Sequence, residues 1–209
     1  MKRYGQWLVP SVITLAIGGW SAVAASHHVD TNNSASYLKS YSASQDQTER
    51  ARGYDVGYFA GGCFWGTESE FKNVPGVVST LVGYTGGRTK LPTYETVCRH
   101  DTGHAETVRV VFDPKKITYE QLVGKFLELH DPTTLNRQGP DVGDQYRSAI
   151  FFESEDQKQK AQKVLDSSAA KFGNRKIVTS LENFGTFYSA EDYHQNYFAK
   201  NGGASCHIH

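Results

Sequence analysis

The stretch Tyr54–Lys72, YDVGYFAGGCFWGTESEFK, places a predicted strand, a tight turn and a predicted helix directly after one another. The first part predicts a short strand that stops at Gly61-Gly62, because paired glycines permit a tight turn. A helix is predicted from Cys63 to the end of the stretch, since Phe64 and Phe71 recur at helical spacing. Cys63 therefore lies at a helix start, where unpaired backbone N–H groups and the helix dipole favour the nucleophilic thiolate.

The remaining elements alternate along the chain. Further strands are predicted over 77–84, 107–112, 146–152 and 177–184, and further helices over 118–130, 154–172 and 189–200. Thr118 and Gln121 form a capping box at the start of the first of these helices. Two successive split β-α-β units indicate an α+β fold, a ferredoxin-like two-layer sandwich with a mixed sheet backed by helices. Long loops over about 86–105 and 131–145 are expected to carry function.

The composition describes one globular domain. The 209 residues are 38% hydrophobic and 12% aromatic, which supplies a core and excludes a disordered chain. The 22 Lys and Arg balance the 22 Asp and Glu, so the formal net charge is zero and no nucleic-acid partner is expected. Three cysteines are too few for a disulfide-stapled mini-domain.

The N-terminus has the pattern of an export signal. Lys2 and Arg3 precede an apolar run that ends in small residues, so residues 1–25 are predicted to be a cleaved signal peptide. The alternative is an uncleaved membrane anchor, because the run is nearly long enough to span a bilayer. A periplasmic or extracellular location is expected, or a membrane-anchored one if the signal is retained, and no stable membrane partner is expected once it is cleaved. Residues 26–50 are polar and without apolar periodicity, which predicts a flexible leader ahead of a catalytic domain over 51–209.

Aromatic side chains flank Cys63. Phe64 and Trp65 place two ring faces beside the sulfur, an arrangement that suits a small apolar or thioether group. The alternative is a buried structural cysteine among core aromatics. The glycine turn, the helix start and the paired rings together favour a nucleophile.

The motif Gly-Gly-Cys-Phe-Trp-Gly over 61–66 resembles the nucleophile motif of the A-type peptide methionine sulfoxide reductases. The resemblance continues, in order, through GYTGG (83–87), PTYE (92–95), TGHAE (102–106), QYRSAI (145–150) and AEDYHQ (190–195). It covers about residues 54 to 206. One such motif is moderate support, whereas the ordered set is highly specific.

The resemblance implies an enzyme that reduces the S epimer of methionine sulfoxide, free or in peptides and oxidised proteins. It implies that Cys63 attacks the sulfoxide sulfur and that Glu106 protonates the departing oxygen, with Tyr94 and Tyr146 donating hydrogen bonds to that oxygen. Residues implied to bind the substrate are Phe64, Trp65, Asp141, His194 and Tyr197. A carboxyl group is an effective acid near neutral pH only when burial raises its pKa, and Glu106 leads into a strand that is expected to be buried. His194 and Tyr197 are expected on one face of the last helix.

Cys206 is implied to be the second thiol of the reaction. In the family, a C-terminal cysteine attacks the sulfenic acid on the first cysteine and forms a disulfide, here Cys63–Cys206. An external thiol reductant, thioredoxin or a thioredoxin-like protein, would then reduce it, and no bound cofactor is implied. The alternative is a permanent structural disulfide between the same residues after export. Ser205 departs from the family pattern, in which an aromatic residue often precedes this cysteine.

Two clusters near the remaining cysteines imitate metal ligands. One comprises Cys98, His100 and His104, and the other is the terminal Cys206-His207-Ile208-His209. They leave open a second class of function, a non-catalytic exported module that binds metal or senses redox state. A plain thiol–disulfide oxidoreductase is a weaker alternative, because the chain has no Cys-x-x-Cys motif. The favoured interpretation has no metal and a buried Cys98 without a catalytic role.

Overall fold

A computed structural model of the protein describes residues 40–202, which contain nine strands and six α-helices. The helices are Ala43–Ala51 (α1), Phe64–Lys72 (α2), Tyr94–Val97 (α3), Tyr119–Glu128 (α4), Glu155–Ser168 (α5) and Tyr197–Asn201 (α6). The strands are Ser40–Tyr41 (β1), Asp55–Gly61 (β2), Val77–Thr85 (β3), Ala105–Phe112 (β4), Arg137–Gln138 (β5), Asp141–Val142 (β6), Ser148–Phe152 (β7), Ser180–Asn183 (β8) and Phe187–Ser189 (β9). Within residues 40–202, no helix is long and apolar enough to cross a membrane.

The main sheet has seven strands in the order β1-β9-β3-β4-β2-β7-β8. Its central four, β3-β4-β2-β7, pair antiparallel throughout, which is the arrangement of two interlocked split β-α-β units. Strand β8 joins β7 in parallel and makes the sheet mixed. The predicted α+β, ferredoxin-like fold is therefore confirmed.

Helices α2, α4 and α5 pack on one face of this sheet. The core there is largely aromatic: the Phe59 ring of β2 lies 5.1 Å from Phe71 of α2 and 5.3 Å from Phe126 of α4, centroid to centroid. The predicted cap of α4 is present, since the Gln121 N–H donates to Thr118 Oγ1 at 3.2 Å and Gln121 Oε1 accepts the Thr118 N–H at 2.9 Å. This face carries the functional loops at one end.

The opposite face of the sheet is also buried. All eight residues of β4 are buried, including Arg109, which lies on the face opposite to Val108 and Val110. The Arg109 guanidinium donates to the carboxylate of Asp46 in α1, at 3.0 Å from Nε and 2.5 Å from Nη2. The same carboxylate accepts the hydroxyl of Tyr58 from β2. A second, smaller apolar cluster surrounds this pair.

The predicted leader over 26–50 is wrong for residues 40–50, which form β1 and most of α1. Ser42 begins α1, with its N–H donating to Gln45 Oε1 at 2.8 Å. The single buried residue of this helix is Asp46, so the helix carries no apolar stripe that a sequence pattern could detect. The predicted signal peptide and residues 26–39 lie outside the described residues.

The predicted helix over 189–200 is also wrong in its first part. Phe187–Ser189 is strand β9, and α6 begins at Tyr197. The intervening segment 190–196 is held on β3, because the Gln195 amide accepts the Val82 N–H at 3.0 Å and donates to the Val82 carbonyl at 2.9 Å. Asn196 has a left-handed backbone (φ 58°), which interrupts any helix through this segment.

We expect Asp46→Ala to lower the free energy of unfolding by about 3–5 kcal/mol, since it leaves the buried Arg109 charge without its partner. Urea unfolding monitored by tryptophan fluorescence measures the change. The matched control is Glu128→Ala, which breaks an exposed pair with Lys125 and should cost about 0–1 kcal/mol. Equal effects of the two changes would contradict the assignment of residues 40–51 to the folded domain.

Candidate active site

The site is built on the turn between β2 and α2. Gly62 has φ +91°, and a Cβ at this position would lie 2.7 Å from the side chain of Gln138. A glycine is therefore required both by the backbone and by the space. Cys63 follows as the residue that caps α2, as the sequence predicts, and it is partly buried. The Gln138 amide in turn donates to the Asp131 carbonyl at 2.7 Å, which fixes the second long loop beside the turn.

Glu106 lies on β4 directly beneath the start of α2. Its side chain is buried (2% exposed), and Oε2 accepts the backbone N–H of Phe64 at 3.0 Å. Burial raises the pKa of Glu106 to about 8, against the opposing effect of that hydrogen bond. The expectation of a buried carboxyl group that is protonated near neutral pH is therefore met by this geometry.

Two opposing effects act on the pKa of the Cys63 thiol. Burial raises its pKa to about 12, and the carboxyl group of Glu106 acts in the same direction. Hydrogen bonds from the backbone at Trp65 and Gly66 lower the pKa, as the helix start predicts, but they are outweighed. The helix start favours the thiolate, as predicted, but burial, which also raises the pKa of Glu106, outweighs this effect at Cys63.

The two predicted tyrosines come from the two long loops. Tyr94 begins α3 in the loop over 86–105, and Tyr146 ends a 3₁₀ turn before β7. Burial raises the pKa of both phenols, and the nearby Glu106 carboxyl group contributes to each rise. Both therefore keep their hydroxyl protons and can act as hydrogen-bond donors at neutral pH.

Trp65 connects the aromatic residues of the site. Its ring stacks on Tyr197 with centroids 3.8 Å apart and planes at 7°, and its Nε1–H donates to His194 Nδ1 at 3.0 Å. His194 is buried (1% exposed) and packs 5.1 Å from the ring of Phe64. His194 and Tyr197 converge as predicted, although through a turn and a helix start rather than along one helix.

The imidazole of His194 is neutral and its tautomer is fixed. An indole N–H only donates, so Nδ1 accepts and the proton lies on Nε2. Burial lowers the pKa of His194 and keeps the ring uncharged. Its Nε2 has no hydrogen-bond partner among the described residues, and the nearest carboxylate oxygen is Glu191 Oε2 at 3.8 Å. His194 thus fixes the Trp65 ring through the hydrogen bond that it accepts at Nδ1.

A cavity of about 500 Å³ opens beside the cysteine. Cys63, Trp65, Asp141 and Tyr197 line it together, so the geometry brings Asp141 to the predicted substrate side chains. Burial raises the pKa of Asp141. His130 also lines the cavity, but both of its ring nitrogens are used, by the Phe126 carbonyl at 2.9 Å and Ser148 Oγ at 2.6 Å.

Two carboxylates around the site make hydrogen bonds that were not predicted from the sequence. Glu191 accepts the Tyr94 N–H at 2.9 Å and the Tyr84 hydroxyl at 3.0 Å. Glu68 of α2 accepts the Asn196 N–H at 2.9 Å and so ties segment 190–196 to the catalytic helix. Glu191 belongs to the quoted AEDYHQ motif, which marks the segment without assigning it a contact.

The histidines near Cys98 are engaged in other contacts. The His104 ring accepts the Gly87 N–H at Nδ1 and bonds the Thr89 carbonyl through Nε2, so it has no lone pair left for a metal. His100 Nδ1 lies 2.7 Å from Gln145 Oε1. Among residues 40–202 no three His, Cys, Asp or Glu side chains are grouped as metal ligands. Cys206 and the terminal His-Ile-His lie outside the described residues.

The site combines three features of a cysteine-dependent oxidoreductase. Cys63 lies at a strand-to-helix turn, the buried carboxyl group of Glu106 lies beside it, and the stacked rings of Trp65 and Tyr197 border the cavity. The comparisons with known proteins agree. Residues 55–209 match the family model described as peptide methionine sulfoxide reductase. The peptide methionine sulfoxide reductase MsrA of Methanothermobacter thermautotrophicus is 52% identical over 158 residues, 74% of this chain and 92% of that relative.

Solved structures extend the likeness. The reduced form of Mxr1 from Saccharomyces cerevisiae superposes with a TM-score of 0.71 at 38% identity, covering 76% of this chain and 92% of that one. Mxr1 in complex with Trx2 gives a TM-score of 0.52 at 26% identity, covering 75% and 90%. The chain belongs to the peptide methionine sulfoxide reductase family, and the resemblance found in the sequence is confirmed.

We expect Cys63 to react slowly with iodoacetamide at pH 7, and about tenfold faster per pH unit above it, because its thiolate is scarce below a pKa of about 12. Glu106→Gln should speed the reaction only above about pH 8, where the wild-type carboxylate forms and opposes the thiolate. Mass spectrometry of the Cys63 peptide measures the rate site by site. Glu128→Gln is the control, and a fast, pH-independent rate in the wild type would contradict the protonated thiol.

Proposed function

We propose that the protein reduces the S epimer of methionine sulfoxide, free or in peptides and oxidised proteins, through a sulfenic acid on Cys63. The observation that carries the proposal is the protonated carboxyl group of Glu106 held against the residue that follows the thiol, at 3.0 Å from the Phe64 nitrogen. A sulfoxide oxygen leaves only after it gains a proton, and an acid with a pKa of about 8 holds one at neutral pH.

The reaction balances within the site. The Cys63 sulfur attacks the sulfoxide sulfur and forms a sulfur–sulfur bond, while Glu106 gives its proton to the oxygen and the thiol proton passes to the Glu106 carboxylate. The OH group then moves from the methionine sulfur to the Cys63 sulfur, which breaks both the methionine S–O bond and the S–S bond and leaves a sulfenic acid and a thioether. Tyr94 and Tyr146, which remain protonated, donate hydrogen bonds to the oxygen as negative charge develops on it.

The aromatic rings of Trp65 and Tyr197 suit the methyl group of the substrate. Trp65 is fixed on both sides, by stacking on Tyr197 and by its hydrogen bond to His194. A rigid ring face beside Cys63 favours a methyl group next to sulfur, since sulfur contacts with aromatic rings are themselves favourable. Asp141 and Tyr197 line the same cavity, which supports a role for both in contacting the substrate's peptide groups.

Cys206 is proposed to complete the cycle. Its thiol attacks the Cys63 sulfenic acid, releases water and forms a Cys63–Cys206 disulfide. A dithiol reductant of the thioredoxin class then reduces that disulfide by exchange. The relative Mxr1, solved in complex with Trx2, supports this class of reductant.

We also propose that the protein is exported. The basic start, the apolar run and the Ala-x-Ala pattern at residues 22–24 support a signal peptide over 1–25 and a periplasmic or extracellular location. N-terminal sequencing of the mature protein distinguishes cleavage from retention as an anchor.

We expect Glu106→Gln to slow single-turnover formation of methionine by roughly 10²–10⁴, because glutamine keeps the shape but has no acidic proton. The wild-type advantage should shrink as pH rises through about 8, since a group with a raised pKa holds its proton below that pKa and loses it above. The measurement uses a peptide carrying S-sulfoxide with dithiothreitol, and Cys63→Ser as the inactive control. A glutamine variant as fast as the wild type at every pH would assign the proton to another group.

We expect Cys206→Ser to form one equivalent of methionine and then stop, with a sulfenic acid on Cys63 and thioredoxin as the sole reductant. Mass spectrometry of a dimedone adduct identifies the trapped species. Cys98→Ser is the matched control and should turn over repeatedly. Repeated turnover by the Cys206 variant would remove Cys206 from the cycle.

A further inference from the structure

We propose that Glu191 is a positioning residue that sets the Tyr94 hydroxyl in place, an inference that rests on the proposed function. Glu191 lies just after β9, at the start of segment 190–196, and its side chain is 25% exposed. It is not among the residues that line the cavity beside Cys63. Its effect on the reaction therefore passes through the residues that it holds.

The two carboxylate oxygens of Glu191 have different tasks. Oε1 accepts the backbone N–H of Tyr94 at 2.9 Å, the first N–H of α3. Oε2 accepts the hydroxyl of the buried Tyr84 on β3 at 3.0 Å and faces His194 Nε2 at 3.8 Å. Hydrogen bonds to a charged acceptor are roughly twice as strong as neutral ones. One side chain thus ties α3 to the sheet, next to the His194 ring that accepts the Trp65 N–H.

Segment 190–196 is rigid enough for this task. The Ala190 N–H donates to the Val82 carbonyl at 2.9 Å, and the Gln195 side chain pairs with both backbone groups of Val82. Glu68 holds the other end through the Asn196 N–H. Glu191 can fix Tyr94 only if its own backbone is held in place, and these hydrogen bonds hold segment 190–196 on the sheet.

Helix α3 depends on such an anchor. It is four residues long and lies within the long loop over 86–105. Its capping box joins Thr93 and Thr96, at 3.3 Å from the Thr96 N–H to Thr93 Oγ1 and 2.9 Å from the Thr93 N–H to Thr96 Oγ1, and leaves the Tyr94 N–H to Glu191. The Tyr94 ring lies 4.6 Å from the His194 ring, so movement of the Tyr94 backbone also breaks that contact. Without Glu191, the Tyr94 N–H loses its acceptor and the hydroxyl leaves its aligned position.

A double-mutant cycle between Glu191 and Tyr94 tests the inference. The single-turnover rate of methionine formation from an S-sulfoxide peptide is measured for wild type, Glu191→Ala, Tyr94→Phe and the double variant. Misplacement of a reacting contact by about 1 Å costs up to roughly 100-fold, so both single changes should slow the reaction by up to that factor. The double variant should be no slower than the slower single variant, because both changes remove the same hydroxyl contact.

The controls separate positioning from a general structural role. Glu191→Gln keeps an oxygen for the Tyr94 N–H and should restore most of the rate, whereas Glu191→Asp retracts the acceptor and should not. Glu95→Ala removes an exposed carboxylate of the same helix and should leave the rate unchanged. If Glu191→Ala does not fold, the Asp variant takes its place in the cycle.

Results that contradict the positioning role differ from results that contradict the proposed function. Multiplicative effects in the double variant, or a Glu191→Ala enzyme as fast as the wild type, would overturn the positioning role while the proposed function stands. Tyr94→Phe with the wild-type rate would overturn it as well. A wild-type protein that forms no methionine from the peptide would instead overturn the proposed function.

Discussion

The backbone N–H of Phe64 donates to a carboxyl group that water hardly reaches, and this contact joins the catalytic turn to the centre of the sheet. It fixes the start of α2 above β4, and with it the position of Cys63. Burial around this contact sets the protonation of both groups, because it raises the pKa of Glu106 to about 8 and that of Cys63 to about 12. A drier site thus provides a carboxyl group that keeps its proton at neutral pH and a thiol that is a poorer resting nucleophile. In the proposed reaction the thiol proton therefore leaves as the sulfur attacks.

Strand β4 shows two solutions to the cost of burying an ionisable group. Glu106 and Arg109 are three residues apart, so their side chains point to opposite faces of the sheet. Arg109 cannot lose its proton and therefore requires a buried partner, which is Asp46. Among residues 40–202, Glu106 has one backbone N–H as hydrogen-bond donor and no cation as a partner, so it stays neutral instead. The charged pair stabilises the fold, and the neutral carboxyl group keeps a proton that the proposed function uses.

The sequence predicted what periodicity, caps and motifs encode. The strand-turn-helix around Cys63, the capped α4 and the mixed sheet follow from apolar spacing and from Thr118 with Gln121. Helix α1 was missed because its one buried residue is an aspartate whose partner lies 63 residues away in the chain. Segment 190–196 was assigned to a helix because its hold on β3 is made by the Gln195 side chain, which no local pattern reveals. The charge state of Cys63 was predicted from the helix start alone, whereas burial is a property of the whole fold.

The ion pair that stabilises the fold and the carboxyl group near Cys63 lie on opposite faces of β4. A change at Asp46 leaves a buried guanidinium unpaired on the face away from Cys63, so its cost falls on folding. A change at Glu106 removes a side chain that accepts one hydrogen bond from Phe64, so the sheet keeps its other contacts and, under the proposed function, the cost falls on proton transfer. The loops complete this division, because Tyr94, Tyr146 and Asp141 come from segments outside the central strands and are held by polar side chains such as Gln138 and Glu191. The sheet can therefore remain rigid, while a few hydrogen bonds at one end of its strands fix the positions of these loop residues.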